Sequence, residues 1–65
     1  MVRENHLKEI RARRGMIQLR LALETKIPQT KISLFENELA HPTREEVNRL
    51  AAALEVSPEE LGFQV

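Results

Sequence analysis

Residues 18–37 constrain the fold of this chain more than any other stretch. They contain two short helical patterns, over residues 18–25 and 28–37, separated by a tight turn. In the second pattern Ile32 and Phe35 share one side of the helix, because residues three apart lie on the same face, and polar side chains occupy the other side. The stretch therefore predicts two packed helices, the second of which presents a polar face to its surroundings.

A further helix is predicted before this pair, over residues 5–14. Leu7 and Ile10 lie on its inward face at helical spacing. Gly15 ends the helix at a position that requires a left-handed backbone, which glycine adopts without steric cost. The next helix has a poorly capped start, because the side chain of Ile17 has no oxygen with which to accept a backbone hydrogen bond.

Two more helices are predicted after the pair, and both have clear start signals. Thr43 and Glu46 form a Thr-x-x-Glu capping box before the fourth helix. Ser57 and Pro58 mark the start of a short fifth helix that ends near Leu61. The inward stripe of the fourth helix comprises Val47, Leu50, Ala51 and Leu54. No segment alternates long enough to predict a strand, so we expect an all-α, compact five-helix fold.

The composition excludes several classes of protein. With 65 residues the chain is expected to form a single domain, residues 1–65. It has no cysteine, and His6 and His41 are far apart in sequence, so neither a metal site nor a cofactor is expected. Apolar runs stay short of the ~18 residues that span a bilayer, and no signal-peptide pattern precedes the domain. We therefore expect a soluble cytoplasmic protein without membrane contact.

Charge is distributed unevenly along the chain, although the formal net charge is zero. Residues 1–37 carry 8 basic and 4 acidic side chains, a net charge of +4, whereas residues 38–65 carry 2 and 6, a net charge of −4. The basic half contains the central pair of helices, which favours a polyanionic partner for that half. Glutamates are also favoured at helix N-termini by the helix dipole. This preference and a functional separation of charge can both explain the acidic half.

Short motifs follow one another through most of the chain in a definite order. They are Leu7-Lys8-Glu9-Ile10-Arg11, Arg14-Gly15-Met16, Gln18, Leu21-Ala22, Ile27, Gln29, Ile32-Ser33, Phe35-Glu36-Asn37, Pro42, Leu50-Ala51, Ala53-Leu54, Val56-Ser57 and Leu61. Together they resemble the phage-repressor/Cro-type (XRE-like) helix-turn-helix family of transcriptional regulators. The resemblance implies a lambda-repressor-like fold in which helices 2 and 3 form the helix-turn-helix.

The resemblance also implies that helix 3 reads the major groove of double-stranded DNA. Gln29 is the strongest candidate for a base contact, because a glutamine amide can donate to and accept from adenine at once. Thr30 can bond a base edge, and Leu34 can make only an apolar contact, which favours thymine. Lys31 and Gln18 are expected at phosphates. The remaining predicted contacts are Ser33, Asn37 and Arg44. The alternative for each polar side chain is a solvated helix face.

Two further implications concern the framework of the fold. Arg11 in the first helix is expected to pair with Glu36 near the end of the third, and the alternative for Arg11 is a solvated surface position. Lys26, Glu38 and Glu55 occupy turns where the family commonly has glycine. A residue with a side chain in the left-handed conformation costs on the order of 1 kcal/mol.

Several leucines fall where a polar side chain is usual in this family. Leu19 and Leu23 lie one helical turn apart, and Leu34 and Leu39 are apolar where solvent or DNA is expected. Scattered exposed leucines are ordinary in soluble proteins. The alternative is a partner surface, either for a homodimer on DNA or, through Leu19, Leu23 and Leu39, for another protein.

Three classes of function can be considered for such a chain. The leading hypothesis is a sequence-specific DNA-binding regulator, in the simplest case a repressor that occupies its operator. The second is a protein-interaction module of the same fold, such as an antitoxin or adaptor, which Leu34, Glu38 and Leu39 favour. An enzyme is not expected, because the chain has no cysteine and no aspartate, and no pair of residues suggests catalytic chemistry.

Overall fold

Four short α-helices and one turn of 3-10 helix form the regular structure of residues 5–63, the part of the chain that the computed structural model describes. In chain order these elements are α1 (Leu7–Arg13), α2 (Gln18–Thr25), α3 (Gln29–Glu36), α4 (Arg44–Leu54) and the 3-10 turn Pro58–Leu61. The all-α prediction is confirmed for these residues. The longest helix, α4, has 11 residues, and none of the described helices is long and apolar enough to cross a membrane.

The prediction of a fifth α-helix is wrong, because residues 5–63 contain four α-helices and the last segment is a 3-10 turn. The Glu60 N–H donates to the Ser57 carbonyl at 3.0 Å, and the Gly62 N–H donates to the Glu59 carbonyl at 3.1 Å. Both bonds reach back three residues, which is the 3-10 pattern. Gly62 then adopts a left-handed φ of 80°, so the segment ends before an α-helical turn forms.

Two helices begin later than the sequence pattern indicates. α1 begins at Leu7 after the N-cap residue His6, and the Leu7 N–H donates to Asn5 Oδ1 at 2.9 Å, so Asn5 forms a local turn before the helix instead of joining it. α3 begins at Gln29, because Pro28 has a ψ of 142°, outside the helical region. Each shift shortens its helix by one or two residues and leaves the predicted inward face unchanged.

The predicted inward faces meet in one hydrophobic core. Its members are Leu7, Ile10, Leu21, Ala22, Ile27, Ile32, Phe35, Val47, Leu50, Ala51, Leu54 and Leu61. α2 packs against both α3 and α4, α1 packs against α3, and the 3-10 turn packs against α4. Ile32 and Phe35 anchor α3 by its inner face, with at most 1% of either residue exposed. The outer face of α3 is therefore presented on a rigid support.

Left-handed residues end the helices, and several of them are not glycine. After α4, the Val56 N–H donates to the Ala51 carbonyl at 3.0 Å and the Glu55 N–H to the Ala52 carbonyl at 3.2 Å, with Glu55 at a φ of 61°. This pair of bonds forms a Schellman motif. Glycine usually occupies the left-handed position of this motif, which is Glu55 in this chain. The other left-handed residues in the described part of the chain are Gly15, Lys26, Glu38 and Gly62.

We expect Glu55→Gly to raise the free energy of unfolding by about 0.5–1 kcal/mol, because glycine removes the steric cost of the left-handed backbone. The carboxylate contributes little in exchange, since it lies 3.6 Å from Arg14 Nη1 and is 78% exposed. Urea denaturation measures the change. Ala52→Gly, inside α4, is the matched control and should lower stability by about 1 kcal/mol. An unchanged or lower stability of Glu55→Gly would contradict the expectation.

Candidate nucleic-acid interface

The structure places most of the predicted contact residues at the surface. Gln29, Thr30, Lys31, Leu34, Asn37 and Arg44 are exposed, and Gln18 and Ser33 are half-buried. The close packing of α2 and α3 suits the small side chain of Ala22, which is 8% exposed. The N-terminal ends of these two helices meet at Gln18 and Gln29, the first residue of each.

A chain of hydrogen bonds runs from α1 to the outer side of α3. Arg11 Nε donates to Glu36 Oε2 at 2.6 Å, and Arg11 Nη2 donates to Glu36 Oε1 at 3.2 Å. Gln18 Nε2 donates to Glu36 Oε1 at 2.9 Å, and Gln29 Nε2 donates to Gln18 Oε1 at 3.4 Å. The Glu36 side chain is 2% exposed. The chain therefore begins in a buried ion pair and ends in an exposed amide.

This hydrogen-bond chain favours one direction of the Gln29 amide. Because the NH₂ group of Gln18 donates to the Glu36 carboxylate, the amide oxygen of Gln18 points toward Gln29. The NH₂ group of Gln29 donates to that oxygen. Gln29 keeps its own oxygen and a second N–H available at the surface. An acceptor beside a donor is the pattern that matches N6 and N7 of adenine in the major groove.

The side of α3 toward α4 carries a different arrangement. Lys31 Nζ donates to Glu46 Oε2 at 2.6 Å and lies 5.9 Å from the centre of the Phe35 ring. The predicted capping box is confirmed at the same carboxylate, since the Thr43 N–H donates to Glu46 Oε1 at 2.9 Å and the Glu46 N–H to Thr43 Oγ1 at 3.1 Å. The hydrogen bond from Lys31 lowers the pKa of Glu46, burial opposes this, and the Thr43 N–H lowers it further.

We expect Glu46→Gln to reduce stability by about 1–2 kcal/mol at neutral pH, because a charge-assisted hydrogen bond is lost. A carboxyl with a lowered folded-state pKa stabilises the fold above its ordinary pKa of 4.5, and this contribution disappears as the pH falls through the lowered value. The gap between wild type and Glu46→Gln should therefore close below that pH. Denaturation across a pH series that extends well below 4.5 measures it, and a gap that stays constant throughout the series would contradict the expectation.

Two of the predicted contacts bond to each other along α3. Asn37 Nδ2 donates to the Ser33 carbonyl at 2.8 Å, which turns the Asn37 amide back along its own helix. Thr30 has no side-chain hydrogen bond to any of residues 5–63, and Arg44 has no ion pair within that range. Among the predicted polar contacts, Thr30 and Arg44 therefore have the fewest interactions with the rest of the described fold.

The start of α2 offers backbone donors. Ile17 is its N-cap residue with an extended backbone, and its carbonyl accepts from the Leu21 N–H at 3.2 Å. Its side chain cannot cap, so no residue in the range 5–63 accepts from the first N–H groups of the helix, at Gln18 and Leu19. Unpaired N–H groups at a helix N-terminus suit an anion such as phosphate.

Sequence reasoning missed two contacts that hold the helix pair in place. Asn5 donates through Nδ2 to the Phe35 carbonyl at 2.9 Å and to Glu38 Oε2 at 2.7 Å, which ties the start of α1 to the end of α3. Arg49 of α4 donates through Nη1 to the Thr25 carbonyl at 2.8 Å, which gives the last carbonyl of α2 a hydrogen-bond donor. Neither contact follows a helical period, so the sequence pattern contains no signal for it.

Comparison with known proteins agrees with this geometry. A family model described as helix-turn-helix matches residues 7–61. Among solved structures, the crystal structure of the restriction-modification controller protein C.AhdI from Aeromonas hydrophila superimposes with a TM-score of 0.83 at 27% sequence identity. The match covers 86% of this chain and 85% of that one. No curated protein sequence matches the chain.

Proposed function

This chain belongs to the helix-turn-helix family of the phage-repressor/Cro (XRE) type, and we propose that it reads a specific operator in the major groove through α3. Membership of the family and likeness to a controller protein support a DNA-binding transcriptional regulator. The finer proposal is a homodimeric repressor that acts by occupying its operator.

The observation that carries the proposal is the oriented amide of Gln29. A solvated glutamine on an ordinary surface helix has a free choice of rotamer and amide direction. Here the buried pair of Arg11 and Glu36 directs Gln18, and Gln18 directs Gln29, so the acceptor and the donor required for adenine are presented in advance. Such preorganisation lowers the entropy lost on binding.

We propose that phosphate contacts position α3 on the duplex. The start of α2 supplies backbone N–H groups, and the second N–H of Gln18 can join them. Arg44 supplies a cation without an intramolecular ion pair in the described residues. Lys31 gives one N–H to Glu46 but is 47% exposed, so its remaining N–H groups can reach a phosphate.

A single copy of so small a module contacts too little DNA to be both tight and selective, which supports a dimer on the operator. Two copies would read half-sites about 34 Å apart, or a multiple of that distance, on one face of the duplex. Selection from a random duplex pool at two salt concentrations, followed by sequencing, tests the proposal. An inverted repeat with this spacing is expected, with affinity that falls steeply as salt rises.

A protein partner is the second candidate, and a specific observation favours it. Leu19, Leu23 and Leu39 are 49%, 68% and 73% exposed, and Ile17, two residues before Leu19, is 65% exposed. If the selection enriches no sequence and retains DNA only weakly at low salt, the proposal of operator binding fails. These side chains then become the surface to probe for a protein partner.

A further inference from the structure

The two sides of α3 offer different chemistry to a base pair. Gln29 faces Gln18 of α2 and presents an amide, whereas Lys31 faces Glu46 of α4. Leu34 follows Lys31 by three residues, so it lies on the side of the outer face nearer α4. Although it belongs to a helix whose inner face is buried, Leu34 is 40% exposed.

The turn at the end of α3 brings the backbone of a second exposed leucine, Leu39, against that of Leu34. The Leu39 N–H donates to the Leu34 carbonyl at 2.9 Å, and the Glu38 N–H donates to the Phe35 carbonyl at 3.2 Å. These bonds form a Schellman motif with Glu38 in the left-handed position, and the motif folds the chain so that Leu39 returns to the turn containing Leu34. Leu39 is 73% exposed. We call these two residues the leucine edge.

We propose that the leucine edge recognises the C5-methyl group of thymine, so that the half-site contains a thymine whose methyl group is read by contact. The inference rests on the proposed function, since it concerns the DNA that α3 would read. Thymine is the base that offers an apolar group in the major groove, and an aliphatic side chain can meet it without leaving a donor or acceptor unpaired.

The surroundings of the leucine edge favour this ligand over a protein. Thr30, Lys31 and Asn37 lie within one turn of Leu34, so the apolar area is small and bordered by polar groups. A specific protein interface takes about 800 Å² from each partner, far more than the exposed parts of two leucine side chains provide. A methyl group in the groove needs only such a small contact.

The test replaces thymine by uracil, which removes the methyl group and keeps every hydrogen-bonding atom. Each thymine of the selected half-site is replaced in turn, in both half-sites, and the affinity of the wild-type protein is measured by titration. We expect one position at which uracil weakens binding by about four-fold per half-site, because one buried methyl group is lost there. In Leu34→Ala the ratio of thymine to uracil affinity at that position should fall to about one.

Two further variants test whether the effect of uracil arises at the leucine edge. Leu39→Ala should reduce the same ratio, which provides a second reading if Leu34→Ala folds poorly. Leu23→Ala, which alters a leucine of α2 that is 68% exposed, should leave the ratio unchanged even if it changes the overall affinity. A half-site in which no uracil has an effect, or a ratio that Leu34→Ala leaves intact, overturns the inference while operator binding stands. Failure to select any operator overturns the proposed function instead.

Discussion

Glu36→Ala is expected to destabilise the domain by about 3–5 kcal/mol, because it leaves a buried cation without its partner. Arg11 Nε, Arg11 Nη2 and Gln18 Nε2 all donate to this carboxylate, and the side chain of Arg11 is only 13% exposed. A domain of this size has a total stability of roughly 3–10 kcal/mol, so the variant should lie near its unfolding transition at room temperature. Urea denaturation monitored by circular dichroism provides the measurement.

The paired replacement Arg11→Met with Glu36→Leu is the control for this result. It removes both charges and fills the space with apolar groups, which is often close to neutral, so the double variant should be clearly more stable than Glu36→Ala. Glu36→Gln keeps an acceptor for Arg11 and should fall between the two. A loss below about 1 kcal/mol in Glu36→Ala would mean that the pair contributes no more than an exposed salt bridge.

Gln29→Ala is expected to weaken binding to the selected operator by about 1–3 kcal/mol for each half-site, because the proposed bidentate contact with adenine would be lost. If the operator is symmetric the two losses add, which makes this the largest expected effect on binding. The variant should accept any base at the position read by Gln29 while it retains its selectivity elsewhere. Because no charge changes, the dependence of affinity on salt should stay the same.

Asn48→Ala is the matched control for Gln29→Ala, since it removes an exposed amide from α4. It should leave both affinity and selectivity unchanged. Gln18→Ala removes the acceptor that orients Gln29. It should therefore reduce the base preference at the same position, but by less than Gln29→Ala does. Equal loss by Gln29→Ala on every DNA sequence would show that this residue contributes affinity without reading a base.

Most of the core and of the helix framework can be predicted from the sequence for local reasons. Leu7, Ile32 and Leu50 are each on the inward face indicated by helical spacing. The capping box at Thr43 depends on a four-residue pattern, and it forms as predicted. Such features depend on neighbours within one helical turn, so they can be read without knowledge of the rest of the fold.

The last segment shows where local signals fail. Ser57 and Pro58 are a proper helix start, yet the segment closes as a 3-10 turn, because only four residues separate the start from a left-handed glycine. Start signals do not encode how many residues remain before the chain must turn. The length of the element is set by Gly62 and by the burial of Leu61 against the core.

Sequence alone is sufficient to locate Gln29, Leu34 and the candidate contacts between them on one helix, because helical periodicity determines which residues share a face. The tertiary structure decides what each of them presents. It brings Glu36 of α3 and Arg11 of α1 against Gln18, which turns the amide of Gln29, and it brings Glu46 of α4 against Lys31. These partners are between 11 and 25 residues apart in sequence. Their hydrogen bonds form only once the helices have packed, so helical spacing within a single segment contains no record of them.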